Sequence, residues 1–340
     1  MTDFARRSPA LWGAVPLFVI GLAGCDMMPP RVWVETERII ELSPTDVEKL
    51  AVYTVNGQVN VRPSDDDDPS IIVVAKIKAG GRDEADAQAA LEAVEIETPR
   101  TGDDSDIQEV RSMWRGDRPS HWQAKVNFDV TMPRKMDLHA ESHNGDVDVQ
   151  GLESKCELSS HNGSVEARDA ATELAASSHN GSVTVRTPAD QVELSTHNGA
   201  VRAVLLSKAP QGTATSHNGK VQVRVQPEAS FAFECQVHNG GIDVEGLTTT
   251  RIERSRRNAS GQVGSDPGDR HLALETHNGQ VSLGVIGADD VRVSEAPAGQ
   301  RERTVVRRRQ DATEKEIERR AREMERELDE QPAEAAASSE

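Results

Sequence analysis

Seven histidines in this chain each stand directly before an Asn-Gly pair: His143, His161, His179, His197, His217, His238 and His277. Imidazole is the commonest protein ligand for zinc, copper and nickel. The steps between successive copies are 18, 18, 18, 20, 21 and 39 residues. On consecutive coils of one rod the rings would form a column, with neighbours about 4.8 Å apart, the spacing of paired strands. Adjacent rings could then share a metal ion. The competing arrangement is a stacking ladder, in which rings pack on one another while the Asn amides pair beside them. No Asp or Glu recurs at a constant offset to orient the rings as ligands. The sequence therefore favours the ladder and no cofactor, with zinc, copper or nickel at the column as the alternative.

The elements that must position these groups can be read from the flanks. Before each His, apolar or small residues alternate with polar ones, as in Val192-Glu193-Leu194-Ser195-Thr196. After each Asn-Gly a second alternating run follows, such as Val147-Asp148-Val149 and Val183-Thr184-Val185. Period two with one apolar face is a half-buried strand. Asn and Gly tolerate positive φ, so each pair reads as a corner or tight turn. The corners are Asn144-Gly145, Asn162-Gly163, Asn180-Gly181, Asn198-Gly199, Asn218-Gly219, Asn239-Gly240 and Asn278-Gly279. Asn56-Gly57 fits the same template, with Val55 in the place of His. In the 39-residue gap, residues 260–263 also fit, after a basic stretch that does not alternate. Each repeat alone could be a hairpin. Regular spacing favours an all-β solenoid, a β-helix of roughly 18–21-residue coils, each one supersecondary unit stacked on the last.

This template assigns the core to Leu138, Leu158, Leu174, Val192 and Leu194 from the first strands. The second strands add Val147, Val165, Val183, Val201, Val221, Ile242 and Val281. Ser and Thr before each His face inward and need backbone or mutual partners. Cys156 and Cys235 also fall inward, about four coils apart, beyond disulfide reach. They are expected to be free, buried thiols.

The chain opens with Arg6-Arg7, an apolar stretch and then Leu22-Ala23-Gly24-Cys25. These are the zones of a secretory signal, and the last four residues resemble a bacterial lipobox. That resemblance implies lipidation of Cys25, such as palmitate, and membrane anchoring in the cell envelope. Residues 1–25 are thus the lipoprotein signal peptide, 26–44 a linker leading into the solenoid, and 45–290 the solenoid. Residues 83–94 read as a short helical decoration and 247–265 as an irregular coil. Residues 291–340 read as a charged helix, centred on 312–328, with a disordered tail. The net charge of −18 argues against nucleic acid. The acidic run 65–68 could bind calcium, but between two prolines it reads as a solvated loop.

Phe128-Asp129-Val130-Thr131-Met132-Pro133, then Leu138 and the repeated Asn-Gly-x-Val-x-Val, resemble the DUF4097 family of adhesin-like β-solenoid proteins. The likeness covers roughly residues 45 to 290. It implies an architecture and brings no catalytic residues. The chain departs from it in the recurrent His and the charged C-terminal helix.

Enzyme chemistry finds little support. Outward positions of the second strands are mixed, Asp148, Glu166, Thr184, Arg202, Gln222, Asp243 and Ser282, with no paired-carboxylate constellation. No phosphate-binding glycine loop or CxxC pair occurs. Aromatics are 3% of residues, which leaves few platforms for sugar stacking. The expectation is a non-enzymatic envelope lipoprotein with a structural or adhesin-like surface for an unknown protein or glycan. A periplasmic metal-binding protein and a polysaccharide-active β-helix enzyme are the rivals.

Overall fold

The computed structural model describes residues 30–64, 70–102 and 106–287. Cys25 and its signal segment, the acidic run 65–68 and the charged helix expected at 312–328 lie outside the described residues. Alternation sets the strands. The N-terminal part supplies β1 (Val32–Leu42), β2 (Lys49–Asn56), β3 (Val59–Pro63), β4 (Ile71–Gly81) and helix α1 (Glu84–Glu92). It continues with β5 (Val94–Glu97), β6 (Arg100–Thr101), β7 (Ile107–Trp114) and β8 (Gln123–Met132). The repeats give β9 (Asp137–Asn144), β10 (Val147–Gln150), β11 (Lys155–Ser160), β12 (Val165–Arg168), β13 (Glu173–Ser178) and β14 (Val183–Thr187). After them come β15 (Gln191–Thr196), β16 (Val201–Leu205), β17 (Gln211–Ser216) and β18 (Val221–Val225). The far end holds β19 (Phe231–Glu245), β20 (Thr249–Arg254), β21 (Asn258–Val263) and β22 (His271–Val285).

Each repeat lays one strand in each of two parallel ladders. The first runs β7, β2, β9, β11, β13, β15, β17, β22, β19. The second runs β8, β3, β10, β12, β14, β16, β18, β22, β19. The strands on either side of an Asn-Gly thus belong to different ladders, which excludes a hairpin. Leu158 pairs with Ala140 below and Ala176 above, and Val165 with Val147 and Val183. The inward residues of both ladders form one apolar cluster, including Leu138, Leu158, Leu194, Val147, Val183 and Val281. Ile242 is only half-buried, because its part of β19 pairs with β22 alone and no further described layer covers it.

Stacking order departs from chain order at the far end. β22 lies between β18 and β19, although β19 comes first in sequence. The chain skips one layer to form β19, folds back through β20 and β21, and then inserts β22. The irregular coil expected at 247–265 is therefore an antiparallel hairpin, and residues 260–263 belong to it rather than to a coil. This hairpin occupies the outer edge of β19 over Phe231–Gln236, and a covered edge is one that cannot recruit another chain. Phe231 and Phe233 are fully buried there. Cys156 and Cys235 come out five layers apart rather than four, by β13, β15, β17, β22 and β19.

The near end is closed by antiparallel pairing too. The segment 26–44, expected as a linker, instead contains β1, an edge strand paired along its length with β4, which pairs antiparallel with β8. Helix α1 buries Ala87, Ala90 and Leu91. It is capped by Asp83, whose carboxylate accepts from the Asp86 backbone N–H at 2.8 Å. Among the described residues, no helix is long and apolar enough to cross a membrane.

Candidate functional site

Parallel pairing fixes where the seven histidines fall. Their side chains are exposed and their rings stack in one column. From His143 through His161, His179, His197, His217 and His277, centroid separations are 4.7 to 4.9 Å and planes lie within 2° of parallel. His238 closes the column on His277 at 4.4 Å and 6°. All seven are brought together, but His277 stands between His217 and His238.

Beside the rings runs a ladder of side-chain amides. Asn144 Nδ2 donates to Asn56 Oδ1 at 2.8 Å, Asn162 to Asn144 at 2.7 Å and Asn180 to Asn162 at 2.7 Å. Asn198 donates to Asn180 at 2.9 Å, Asn218 to Asn198 at 3.0 Å, and Asn278 to Asn218 and Asn239 to Asn278 at 2.9 Å each. Every link points the same way. Main-chain bonds tie the same layers, for example Asn162 N to His143 O at 2.8 Å and Asn180 N to His161 O at 2.9 Å.

Behind the ladder the inward hydroxyls reach a glycine carbonyl of the layer below. Ser142 bonds Gly57 O, Ser160 bonds Gly145 O and Ser178 bonds Gly163 O, at 2.7 to 2.8 Å. Thr196 bonds Gly181 O, Ser216 bonds Gly199 O and Thr276 bonds Gly219 O, at 2.7 to 2.9 Å. These carbonyls explain the glycines. A Cβ on Gly163, Gly181, Gly199 or Gly219 would lie 1.8 to 2.1 Å from the glycine oxygen beneath it. Positive φ is not the reason: of the seven His-Asn-Gly glycines only Gly240, at 147°, has it, and none of the asparagines does. Nor does the pair always interrupt the strand, since β19 and β22 continue without a break through Asn239-Gly240 and Asn278-Gly279 as they pass from one ladder to the other.

The stack also bears on metal chemistry. Imidazole lone pairs lie in the ring plane, so parallel rings aim them along parallel lines. A shared ion needs two nitrogens within about 4.2 Å, twice the usual metal–nitrogen distance, and converging. Rings 4.7 to 4.9 Å apart with planes within 2° meet neither condition unless one turns. Among the described residues, no group of three or more His, Cys, Asp or Glu is placed to hold a metal ion.

Elsewhere the charged groups work as local ties. On the outer face of the first ladder, Glu157 accepts from Lys49 Nζ at 3.0 Å and lies 3.2 Å from His139 Nδ1. The Lys49 hydrogen bond holds the Glu157 carboxyl down to about 2. Asp86 takes the Arg82 backbone N–H and the Trp122 indole N–H, which keep it well below the carboxylate range. Trp122 stacks on Trp114 at 6.0 Å. This aromatic corner beside α1 joins residues far apart in sequence, and no local pattern announces it. Cys156 and Cys235 are free and buried, and burial pushes both thiols up to about 12.

Two parallel ladders closing on one core, with a repeated polar ridge along the bend, define a β-solenoid scaffold. The chain belongs to the family described as Toastrack DUF4097, which matches residues 26–284. No curated protein matches it. Among solved structures it is similar to a candidate cell adhesion protein from Clostridium sporogenes ATCC 15579. The identity is 10% and the TM-score 0.31, over 74% of this chain and 100% of that one. It is also similar to a candidate adhesin from Bacteroides fragilis NCTC 9343, with 11% identity and a TM-score of 0.25 over 76% and 99% of the two chains. A third, from Parabacteroides distasonis ATCC 8503, gives 12% and 0.29 over 74% and 97%.

Proposed function

We propose that this chain is a non-enzymatic, lipid-anchored envelope protein whose solenoid serves as a rigid, adhesin-like binding surface. One observation carries the reading. The repeated groups that could do chemistry are already engaged between layers: rings with rings, amides with amides, hydroxyls with carbonyls. A hydroxyl committed to a main-chain carbonyl is a poor nucleophile, and amides locked in a chain cannot follow a reacting group. What remains is a stiff exposed ridge, which suits recognition because little entropy is lost on docking. Cys25, at the end of Leu22-Ala23-Gly24-Cys25, supplies the anchor in this reading, and the partner is a protein or a glycan outside the membrane.

The test has two arms. The full chain and its Cys25→Ser variant are expressed in bacteria fed a palmitate analogue. The expected result is label in the parent alone, with the variant leaving the membrane fraction; label in both removes the anchor. Beads coated with the full chain are then offered envelope glycans and whole cells. Retention is expected, and its absence on every surface sinks the binding role.

A further inference from the structure

The outward side chains of the second ladder change character along the rod. On β14 they are Thr184 and Arg186, on β16 Arg202 and Val204, on β18 Gln222 and Arg224. Register sets Thr184, Arg202 and Gln222 in one row and Arg186, Val204 and Arg224 in the next. Three guanidiniums therefore surround one half-buried valine, and none of these six positions carries a carboxylate. Acidic residues bracket the window, with Asp148 and Glu166 before it and Asp243 after it. In a chain of net charge −18 this is a local reversal of sign. The three strands line a shallow groove of about 130 Å³ that also reaches Arg168 and Glu166, whose carboxylate is tied to the Arg168 guanidinium.

The partners of the four arginines differ. Arg168 is held by Glu166 at 2.7 Å and Asp148 at 3.4 Å, and Arg186 by Asp169 at 3.1 Å. Arg224 donates to Ser282 Oγ at 3.1 Å. Arg202 is exposed and makes no ion pair or hydrogen bond among the described residues. An open guanidinium between two others is a planar, five-donor fork matched to a carboxylate.

We propose that this groove binds an acidic glycan, with Arg202 pairing to a uronate carboxylate while Arg186 and Arg224 flank it. The proposal rests on the binding-surface reading above and names its site and ligand class. The lining suits a sugar better than its rivals. Thr184 and Gln222 offer hydroxyl and amide groups to ring hydroxyls, and Val204 offers an apolar contact to a C–H face. An extended acidic peptide would seek a free strand edge, but here the backbone is paired on both sides, β14 to β16 to β18 to β22. Duplex nucleic acid, with a charge every ~1.7 Å, meets the full repulsion of an acidic protein.

The experiment titrates the full chain with a hexameric uronate oligosaccharide at low and moderate salt. In parallel it uses the same hexamer with its carboxyls reduced, a poly-glutamate peptide and inorganic phosphate. Expected is salt-sensitive binding of the uronate hexamer, at least about tenfold weaker in Arg202→Gln, as for loss of a charged bidentate contact. Arg202→Gln should melt with the parent, since the side chain has no internal partner. Equal binding of the reduced hexamer, of poly-glutamate or of phosphate, or an unchanged Arg202→Gln, overturns the acidic-glycan site. If the coated beads still hold cells in that case, the binding role stands and only this groove falls. Beads that hold nothing remove both.

Discussion

Asn278 donates its side-chain amide to Asn218 at 2.9 Å across sixty residues of sequence. Asn239, far closer to Asn218 in the chain, is held one layer further out, on Asn278. The same three-residue unit therefore fits any layer of the rod. Which copy stacks on which is decided by the connections and by what closes the end. Here the β20–β21 hairpin pairs with β19 and makes it the last layer.

Glycine at the bend is required by contact between layers, and this can be measured. Gly181→Ala would put a methyl 2.0 Å from the Gly163 oxygen, which accepts the Ser178 hydroxyl and is held between Asn162 and Ser164, both bonded through the main chain to the layer below. The expected cost is at least about 2 kcal/mol, typical of forced overpacking. Gly241→Ala is the control: nothing lies within 4 Å of its added carbon, so its change should stay within about 0.5 kcal/mol. Urea unfolding of the two variants separates the explanations. Equal stability would mean that close approach does not select glycine here.

The hydroxyl ladder makes predictions of both signs. Ser178→Ala removes the bond to the Gly163 carbonyl and should cost about 1 kcal/mol. Val237 occupies the equivalent inward position of the last layer, paired with Thr276, and brings no hydroxyl. Val237→Thr should supply the missing donor to the Gly279 carbonyl and raise stability by up to about 1 kcal/mol. A loss on this substitution, read by calorimetry, would mean that the last layer does not repeat the geometry of the others.

Much of the scaffold is legible in the residues because alternation is a local property. Val183-Thr184-Val185 and Val192-Glu193-Leu194 each declare a strand and its inward side, and both are buried as read. The role of Gly181 was not legible, since the oxygen that excludes a side chain there belongs to Gly163, in another layer. Nor was the inversion of β19 and β22, because His238-Asn239-Gly240 and His277-Asn278-Gly279 are interchangeable by motif. Val237, the one residue before a repeat His that lacks a hydroxyl, was the available signal. The strand in 26–44 was hidden because its partner, β4, lies beyond the first two coil strands. The cationic groove needed register: Arg186, Arg202 and Arg224 look scattered until Val204 is seen between two of them.

The cysteines offer a simple chemical check. Cys156 and Cys235 are fully buried, and burial raises their thiols to about 12, so thiolate is scarce near neutrality. An aromatic disulfide reagent should leave both unmodified in the folded protein and titrate both in denaturant. Rapid labelling of either one before unfolding would place it on the surface.

Metal titration addresses the column itself. Stacked rings do not converge on an ion, so zinc, copper and nickel should bind weakly and without a fixed stoichiometry per ring pair. Replacing His179 and His197 by Gln should leave any uptake nearly unchanged, because no chelate is lost. Micromolar or tighter uptake that disappears in this double variant would show that the rings turn to share a metal.

The Lys49–Glu157 tie gives the fold a defined acid dependence. The Glu157 carboxyl sits at about 2 in the folded chain, against an ordinary value of 4.5. A depressed carboxyl binds its proton less readily folded than unfolded, so its stabilisation is complete above the ordinary value. It declines as pH falls through that value toward 2, where both states are protonated. The pair is about one-third exposed on both sides, so its contribution should be under about 1 kcal/mol. The melting difference between the parent and Glu157→Gln should accordingly hold steady from pH 7 to pH 5 and shrink toward pH 2.5. Lys49→Met should abolish most of that slope by removing the cation that depresses the carboxyl. A gap between parent and Glu157→Gln that widens as the solution is acidified would contradict the assigned cause.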